Sequence, residues 1–146
     1  MPQNYDRNDL AWSYRGDWLI SHDGDLRDTF DDPLRSLYEE VRDVLKSEVG
    51  DWRIYPEIGA GLPDFVGEPN NKRTAEAIKT RVIAALTRNG LVASNDLKVM
   101  YAPMDIDKLL IRISITVAQT AANRGSNSLG ITLGYSYAEN QVFVVG

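Results

Sequence analysis

Leu109-Leu110-Ile111-Arg112-Ile113-Ser114-Ile115-Thr116-Val117 is the stretch on which the fold turns. Ile111, Ile113, Ile115 and Val117 fall on one side of an extended chain, and Arg112, Ser114 and Thr116 on the other. That period of two marks a strand with one buried and one wet face. The strand, read as Leu109–Gln119, pairs with an earlier one at Asp96–Tyr101 across a Pro103–Lys108 turn. Upstream the period becomes helical: Ala75, Ile78, Val82, Ala85 and Leu86 recur on one face between Asn71, a capping residue, and the stop signal Asn89-Gly90. Further upstream, Asp31-Asp32-Pro33 opens another helix, with an acidic cap and Pro at the first position. In it Leu34, Leu37, Tyr38, Val41, Val44 and Leu45 form the apolar stripe, which leaves Arg35, Glu39, Glu40, Arg42, Asp43 and Lys46 to water. Two helices followed by strands imply an α+β domain, a small mixed sheet with two amphipathic helices packed on it.

Around this core, spanning 17–119, the ends read differently. Residues 1–16 are polar, carry Tyr5, Trp12 and Tyr14, and lack a period, as expected of an extended arm that orders where something receives it. Asp17–Ser21 and Leu26–Phe30 flank an Asp-Gly turn and form a small hairpin. Trp52–Tyr55 reads as a short extended stretch, and Pro56–Pro63 holds too many Gly and Pro for regular structure. Residues 120–128 form a polar linker before a C-terminal hairpin over 129–146, built of Leu129–Tyr137 and Gln141–Val145 around Ala138–Asn140. No internal repeat stands out.

The chain has 146 residues, no Cys, one His and a formal charge of −5. The absence of Cys removes disulfides and thiolate chemistry, and one His cannot build a multi-His metal or relay site. An acidic balance disfavours nucleic acid and anionic membrane surfaces as partners. The longest apolar run is too short to cross a bilayer, and the first residues lack the shape of a signal peptide, so a cytosolic protein is expected.

Among the acidic residues, Glu57, Asp64 and Glu68 lie close together between the helices. Two carboxylates in different environments are the minimum equipment for glycoside hydrolysis, which makes Glu57 and Glu68 the candidate pair. The plainer use of such groups is to hold a loop, and a Glu before a two-glycine turn is well placed to accept its free N–H groups. His22 is a turn residue without a serine partner. The aspartates from Asp23 to Asp32 lack the spacing of a calcium loop, and Gly59-Ala60-Gly61 lacks the rest of a phosphate loop. Trp18, Trp52 and Phe65 have core packing as their ordinary use, with a ligand platform as the alternative. No cofactor or metal is expected.

In order, the chain presents Gly24-Asp25-Leu26, an amphipathic helix, Gly50-Asp51-Trp52, Pro56-Glu57-Ile58-Gly59-Ala60-Gly61-Leu62, Phe65, Glu68-Pro69-Asn70, and a helix with Ile78, Val82 and Leu86. This ordered set resembles the lysozyme-like baseplate wedge proteins of contractile-tailed phages, the sheath-initiator family that includes the small baseplate subunit of type VI secretion systems. The resemblance implies a fold similar to the conserved domain of tail sheath proteins and a structural subunit without enzymatic activity. It would reside in the virion's tail baseplate after assembly in the host cytoplasm. Implied partners are the tail sheath protein, baseplate wedge proteins and the tail tube, with about six copies around the tail axis. The motif residues Trp52, Pro56, Glu57, Gly59, Gly61, Leu62, Phe65, Glu68, Pro69 and Asn70 would be structural. One departure is visible: where the family carries a Glu-Pro-Arg core signature, this chain reads Thr87-Arg88-Asn89-Gly90-Leu91. Strand pairing with a sheath subunit would fall on Ile131, Leu133, Tyr135, Val142 and Val144 of the C-terminal hairpin. A peptidoglycan-cleaving muramidase using Glu57 and Glu68 is the rival reading.

Overall fold

Helix α1 spans Pro33–Lys46 and α2 spans Lys72–Thr87, and the four strands follow: β1 Leu97–Asp105, β2 Lys108–Thr116, β3 Ser128–Ser136 and β4 Gln141–Val145. This is a computed structural model. It describes residues 5, 8–13, 17–30, 32–88, 90–118, 128–136 and 141–145, with 33, 135 and 141–145 described by backbone alone. Outside that set lie Tyr14, Asp31, Asn89, residues 120–127 of the expected linker and the Ala138–Asn140 turn, as do the side chains of Tyr135, Val142 and Val144. No helix among the described residues is long and apolar enough to cross a membrane.

The strands form one sheet in the order β1-β2-β3-β4, and every pairing is antiparallel. This corrects the expectation of a mixed sheet. Both helices precede the first strand, so no crossover helix is left to connect parallel neighbours. In β2 the alternation holds as read: Leu109, Ile111, Ile113 and Ile115 are buried and Arg112 is exposed. Ile111 stands opposite Leu133 of β3 and Tyr101 of β1, while Ile113 stands opposite Ile131 and Val99, so the buried layer runs across three strands. Leu37, Val41 and Leu45 of α1 and Ala75, Ile78, Val82, Ala85 and Leu86 of α2 complete a single core with it. Residues 128–136 thus belong to the chain's own sheet, with Ile131 and Leu133 fully buried. The β1–β2 turn is tighter than expected: Asp105 pairs with Lys108, and Pro103 lies within β1 on the sheet's outer edge, where a missing N–H costs no ladder bond. The Tyr101 hydroxyl donates to Glu76 Oε1 at 2.8 Å, and that bond holds the phenol above its ordinary pKa.

Both helix starts follow the sequence. Asn71 Oδ1 accepts from Thr74 N at 2.9 Å, while Asp32 precedes Pro33 at the N-cap without a side-chain capping bond. The polar face of α1 departs from expectation, since Glu39 and Arg42 are only 5% and 6% exposed. The cover comes from upstream chain. Glu39 Oε1 accepts from Trp12 N at 3.0 Å and from Arg35 Nε at 3.0 Å. Arg35 Nη2 donates to the Trp12 carbonyl at 2.8 Å, and Arg42 Nη1 to that of Ser13 at 3.2 Å. Two more residues of the stretch read as an arm lie inside the body: Ala11 is fully buried, and the buried Tyr5 hydroxyl donates to Asp96 Oδ2 at 2.7 Å and accepts from Ala93 N at 3.1 Å.

Residues 9–29 hold a repeat that inspection of the sequence misses. Asp9-Leu-Ala-Trp-Ser13, Asp17-Trp-Leu-Ile-Ser21 and Asp25-Leu-Arg-Asp-Thr29 follow one another at intervals of eight residues. The three segments close into a hub. At its centre each N–H of one segment donates to another's carbonyl: Ala11 to Arg27 (2.7 Å), Arg27 to Leu19 (2.9 Å) and Leu19 to Ala11 (3.1 Å). An outer set repeats the arrangement, Ser13 to Asp17, Ser21 to Asp25 and Thr29 to Asp9, each at 2.8 Å. The hydroxyls lock the same corners. Ser13 Oγ accepts from Asp17 N, Thr29 Oγ1 accepts from Asp9 N, and the Ser21 hydroxyl shares its one proton between the Asp25 carbonyl and the Asp23 carboxylate. The expected Asp17–Ser21 and Leu26–Phe30 hairpin is therefore two thirds of a three-cornered unit.

Candidate interaction site

The stretch joining α1 to α2 carries every motif residue, and its shape follows from how it ends α1. The last carbonyls of a helix lack intrahelical donors. Here Ala60 N donates to the carbonyls of Val44 (3.0 Å) and Ser47 (3.1 Å), and Gly61 N to Ser47 (3.2 Å). This corrects the expectation that Glu57 binds the N–H groups of the glycine turn, for the helix end takes that role. Such contact brings backbone against backbone at Gly59, where φ is +134° and a Cβ would stand 2.6 Å from the Glu48 carbonyl oxygen. Only glycine fits. Gly61, left-handed at φ 59°, then starts a 3-10 turn over Leu62–Phe65 that buries Leu62 in the core. Phe65 lies at the core's margin under the Arg81 guanidinium, 5.1 Å from the ring centroid, and Arg81 Nη1 also reaches Asp64 Oδ2 at 3.3 Å. Asn70 Nδ2 donates to the Asp105 carbonyl at 2.9 Å, which ties the start of α2 to the β1–β2 turn.

With both ends pinned, the middle of the stretch stands outward. Val49, Trp52, Ile54 and Tyr55 are exposed, Ile54 at 81% and Tyr55 at 57%. Residues 51–54 follow bends, so Trp52–Tyr55 is not the extended stretch expected there, and Gly50 N closes back on the Pro56 carbonyl at 2.8 Å. Trp52 Nε1 donates to Ser47 Oγ at 2.9 Å, fixing the indole beside a cleft of about 410 Å³. Apolar atoms of Val44, Trp52, Tyr55, Ile58, Ala85 and Leu91 line it, with Glu40 and Asp43 at its edge. Trp52 and Trp18 are thus half out of the protein, and the core-packing expectation holds only for Phe65. Val49, Ile54 and Tyr55 were not singled out in the sequence, although four large apolar residues in a segment without periodicity were the available signal.

Glu57 and Glu68 are both exposed, and Glu57 does not line the cleft that Glu68 lines. Glu57 offers its backbone carbonyl to Arg88 Nη1 at 3.0 Å, and Glu68 lines a separate cleft with Arg73 and Arg81. Arg88 is itself exposed at the end of α2, so it builds no polar core in the manner of the family's arginine.

No family model and no curated protein matches the chain. Among solved structures, the crystal structure of a candidate tail lysozyme from Geobacter sulfurreducens superposes with a TM-score of 0.50 at 21% identity, over 69% of this chain and 87% of that one. A chain of the six-fold symmetrised baseplate of an anti-feeding prophage gives a TM-score of 0.49 at 15% identity, over 89% and 86%. That first likeness is one of fold: over 69% of its length this chain shares the fold of that protein.

Proposed function

We propose that the chain is a non-enzymatic wedge subunit of a contractile tail baseplate, one that connects the wedge to the tail sheath and starts sheath assembly. The observation that carries this reading is the apolar face of Trp52, Ile54 and Tyr55, held outward by a stretch anchored at both ends. A surface of that kind is built to be covered by another protein. The fold shared with a tail-lysozyme-type protein and the ordered motif from Gly50 to Asn70 support the same assignment. Docking to wedge proteins would use this face. Pairing with a sheath strand would use the outer edge of β4, the strand of Val142 and Val144, because Ile131 and Leu133 are committed to this chain's own core and β1 is blunted by Pro103.

Co-sedimentation with purified sheath protein tests the assignment. Deleting residues 141–146 is expected to abolish co-sedimentation, while Ile54→Ser with Tyr55→Ser leaves sheath binding intact and weakens wedge binding. Full sheath binding by the deletion would remove the strand-pairing role. The name of the structural neighbour motivates the rival muramidase reading, which a peptidoglycan-clearing assay addresses. Two exposed carboxylates in separate places predict no clearing, and clearing by the wild type that is lost in Glu68→Gln would overturn the structural assignment.

A further inference from the structure

We infer that the outer face of the N-terminal hub, formed by Trp18, Ile20, Leu26 and Phe30, docks a basic amphipathic segment of another protein. This surface lies apart from the α1–α2 stretch, and the inference does not depend on the baseplate reading.

The hub is built inside out. Its centre holds Ala11 and a ring of main-chain hydrogen bonds, and its attachment to α1 is polar, through Arg35, Glu39 and Arg42 to the backbone of Trp12 and Ser13. Neither feature consumes apolar surface. The second and fourth positions of the middle repeat are Trp18 and Ile20, and the second of the last is Leu26; with Phe30 they stand in solvent, Ile20 at 59% and Phe30 at 69% exposure. Trp18 is steadied by Trp12, with ring centroids 4.3 Å apart. A rigid apolar face on a polar mount is costly unless something covers it.

Charge selects the occupant. Residues 8–32 hold seven Asp against Arg15 and Arg27, a formal −5, so the chain's whole net charge of −5 lies there and the remainder balances at fourteen acidic to fourteen basic residues. Beside Leu26 a cleft of about 380 Å³ is lined by Asp23, Asp25, Asp28 and Asp32, with Arg27 and Arg35 also present. Among the described residues, no group of three or more acidic side chains is placed to hold a metal ion. Phosphate and anionic lipid are repelled by this field, and a second copy would bring the same negative charge against itself. A segment with apolar residues for the Trp18 face and Lys or Arg for the aspartate cleft meets both requirements.

The test is fluorescence anisotropy of a labelled Leu/Lys amphipathic peptide titrated with the full chain. Saturable binding is expected, weakened about tenfold by Ile20→Asp with Phe30→Ser and weakened again by added salt, but unchanged by Ile54→Ser on the other apolar surface. Asp28→Asn with Asp32→Asn should also weaken binding, and this pair decides alone if the apolar variant fails to fold, because an Asn oxygen keeps the bond that Asp28 Oδ1 accepts from Phe30 N and Asp32 makes no capping bond. Equal binding of a Leu/Glu peptide, or binding indifferent to the hub variants, would overturn the inference, as would sedimentation showing that this face closes a dimer of the chain.

Discussion

The α1–α2 stretch and the N-terminal hub are both irregular chain presenting apolar side chains to water, yet they are held by opposite means. The stretch from Ser47 to Asn71 is fastened by close approach and burial. Gly59 lies against the Ser47 and Glu48 backbone just past α1, Ala60 and Leu62 drop into the core, and Asn70 fastens the far end. Residues 9–29 are fastened by a closed set of main-chain hydrogen bonds and a polar clamp on Glu39 and Arg42. The first mode is non-directional and tied to the global core. The second is directional and local, so it can open without unfolding the rest.

The sharpest way to break that contrast is Gly59→Ala. A Cβ at that position meets backbone atoms, which cannot rotate away, and φ there is positive. Strain and displacement together predict a loss of about 4 kcal/mol in denaturant unfolding, and a fall of roughly 10 °C or more in Tm. The loss should be global, with helix and sheet melting in one transition, since the stretch shares the core. A variant of wild-type stability would show that α1 does not rest on this turn.

Next in size is Glu39→Ala. It strips the acceptor from Trp12 N and leaves the Arg35 guanidinium with one partner fewer, at an expected cost of about 2 kcal/mol. Hydrogen exchange separates local from global effects: the amides of Ala11, Leu19 and Arg27 should exchange faster while those of Ala60 and Gly61 hold their protection. Uniform acceleration would mean that the hub and core unfold as one unit. Thr29→Val, which keeps the shape but removes the acceptor for Asp9 N, should cost about 1 kcal/mol and loosen the same amides by less.

The two regions also differ in how far the sequence reveals them. Helix periodicity and the alternation in β2 are legible because burial imposes them on side chains, and the cap at Asn71 is legible because a side chain makes the bond. Gly59 reads as a turn residue, but the reason only glycine fits lies in the Glu48 carbonyl, eleven positions upstream. The burial of Glu39 and Arg42 is hidden for the same reason: main-chain atoms of Trp12 and Ser13 cover them, and main-chain atoms have no sequence signature. The hub's repeat fixes only an Asp and a hydroxyl in each unit, with the apolar positions free to vary between Leu, Trp and Ile. Hydrophobic patterning passes over such a period. At the interaction site the motif residues supply the fastenings, whereas of the outward face Ile54 and Tyr55 lie between them and Val49 just before them.

The smallest effect tests whether the hub's corners are set as described. The Ser21 hydroxyl donates to the Asp23 carboxylate, which also accepts from its own backbone N–H and that of Asp25, and together these bonds hold the Asp23 carboxyl below its ordinary value of 3.8. A folded-state pKa below the unfolded one favours folding above the ordinary carboxylate range, and that contribution is lost as pH falls through the lowered value. Because Asp23 is exposed, the change in stability should be lost within the error of an unfolding curve, and the measurement is the titration itself. Carboxyl carbon shifts followed by NMR should place the Asp23 midpoint below 3.8, and Ser21→Ala should move it upward, since the largest cause is removed. The Gly59 stretch supplies the control, because Ser21→Ala should leave the shifts of Ala60 and Gly61 untouched. An Asp23 midpoint that ignores Ser21→Ala would show that this corner is closed by its backbone bonds alone, which would extend to the turn the rule already found at the hub's centre.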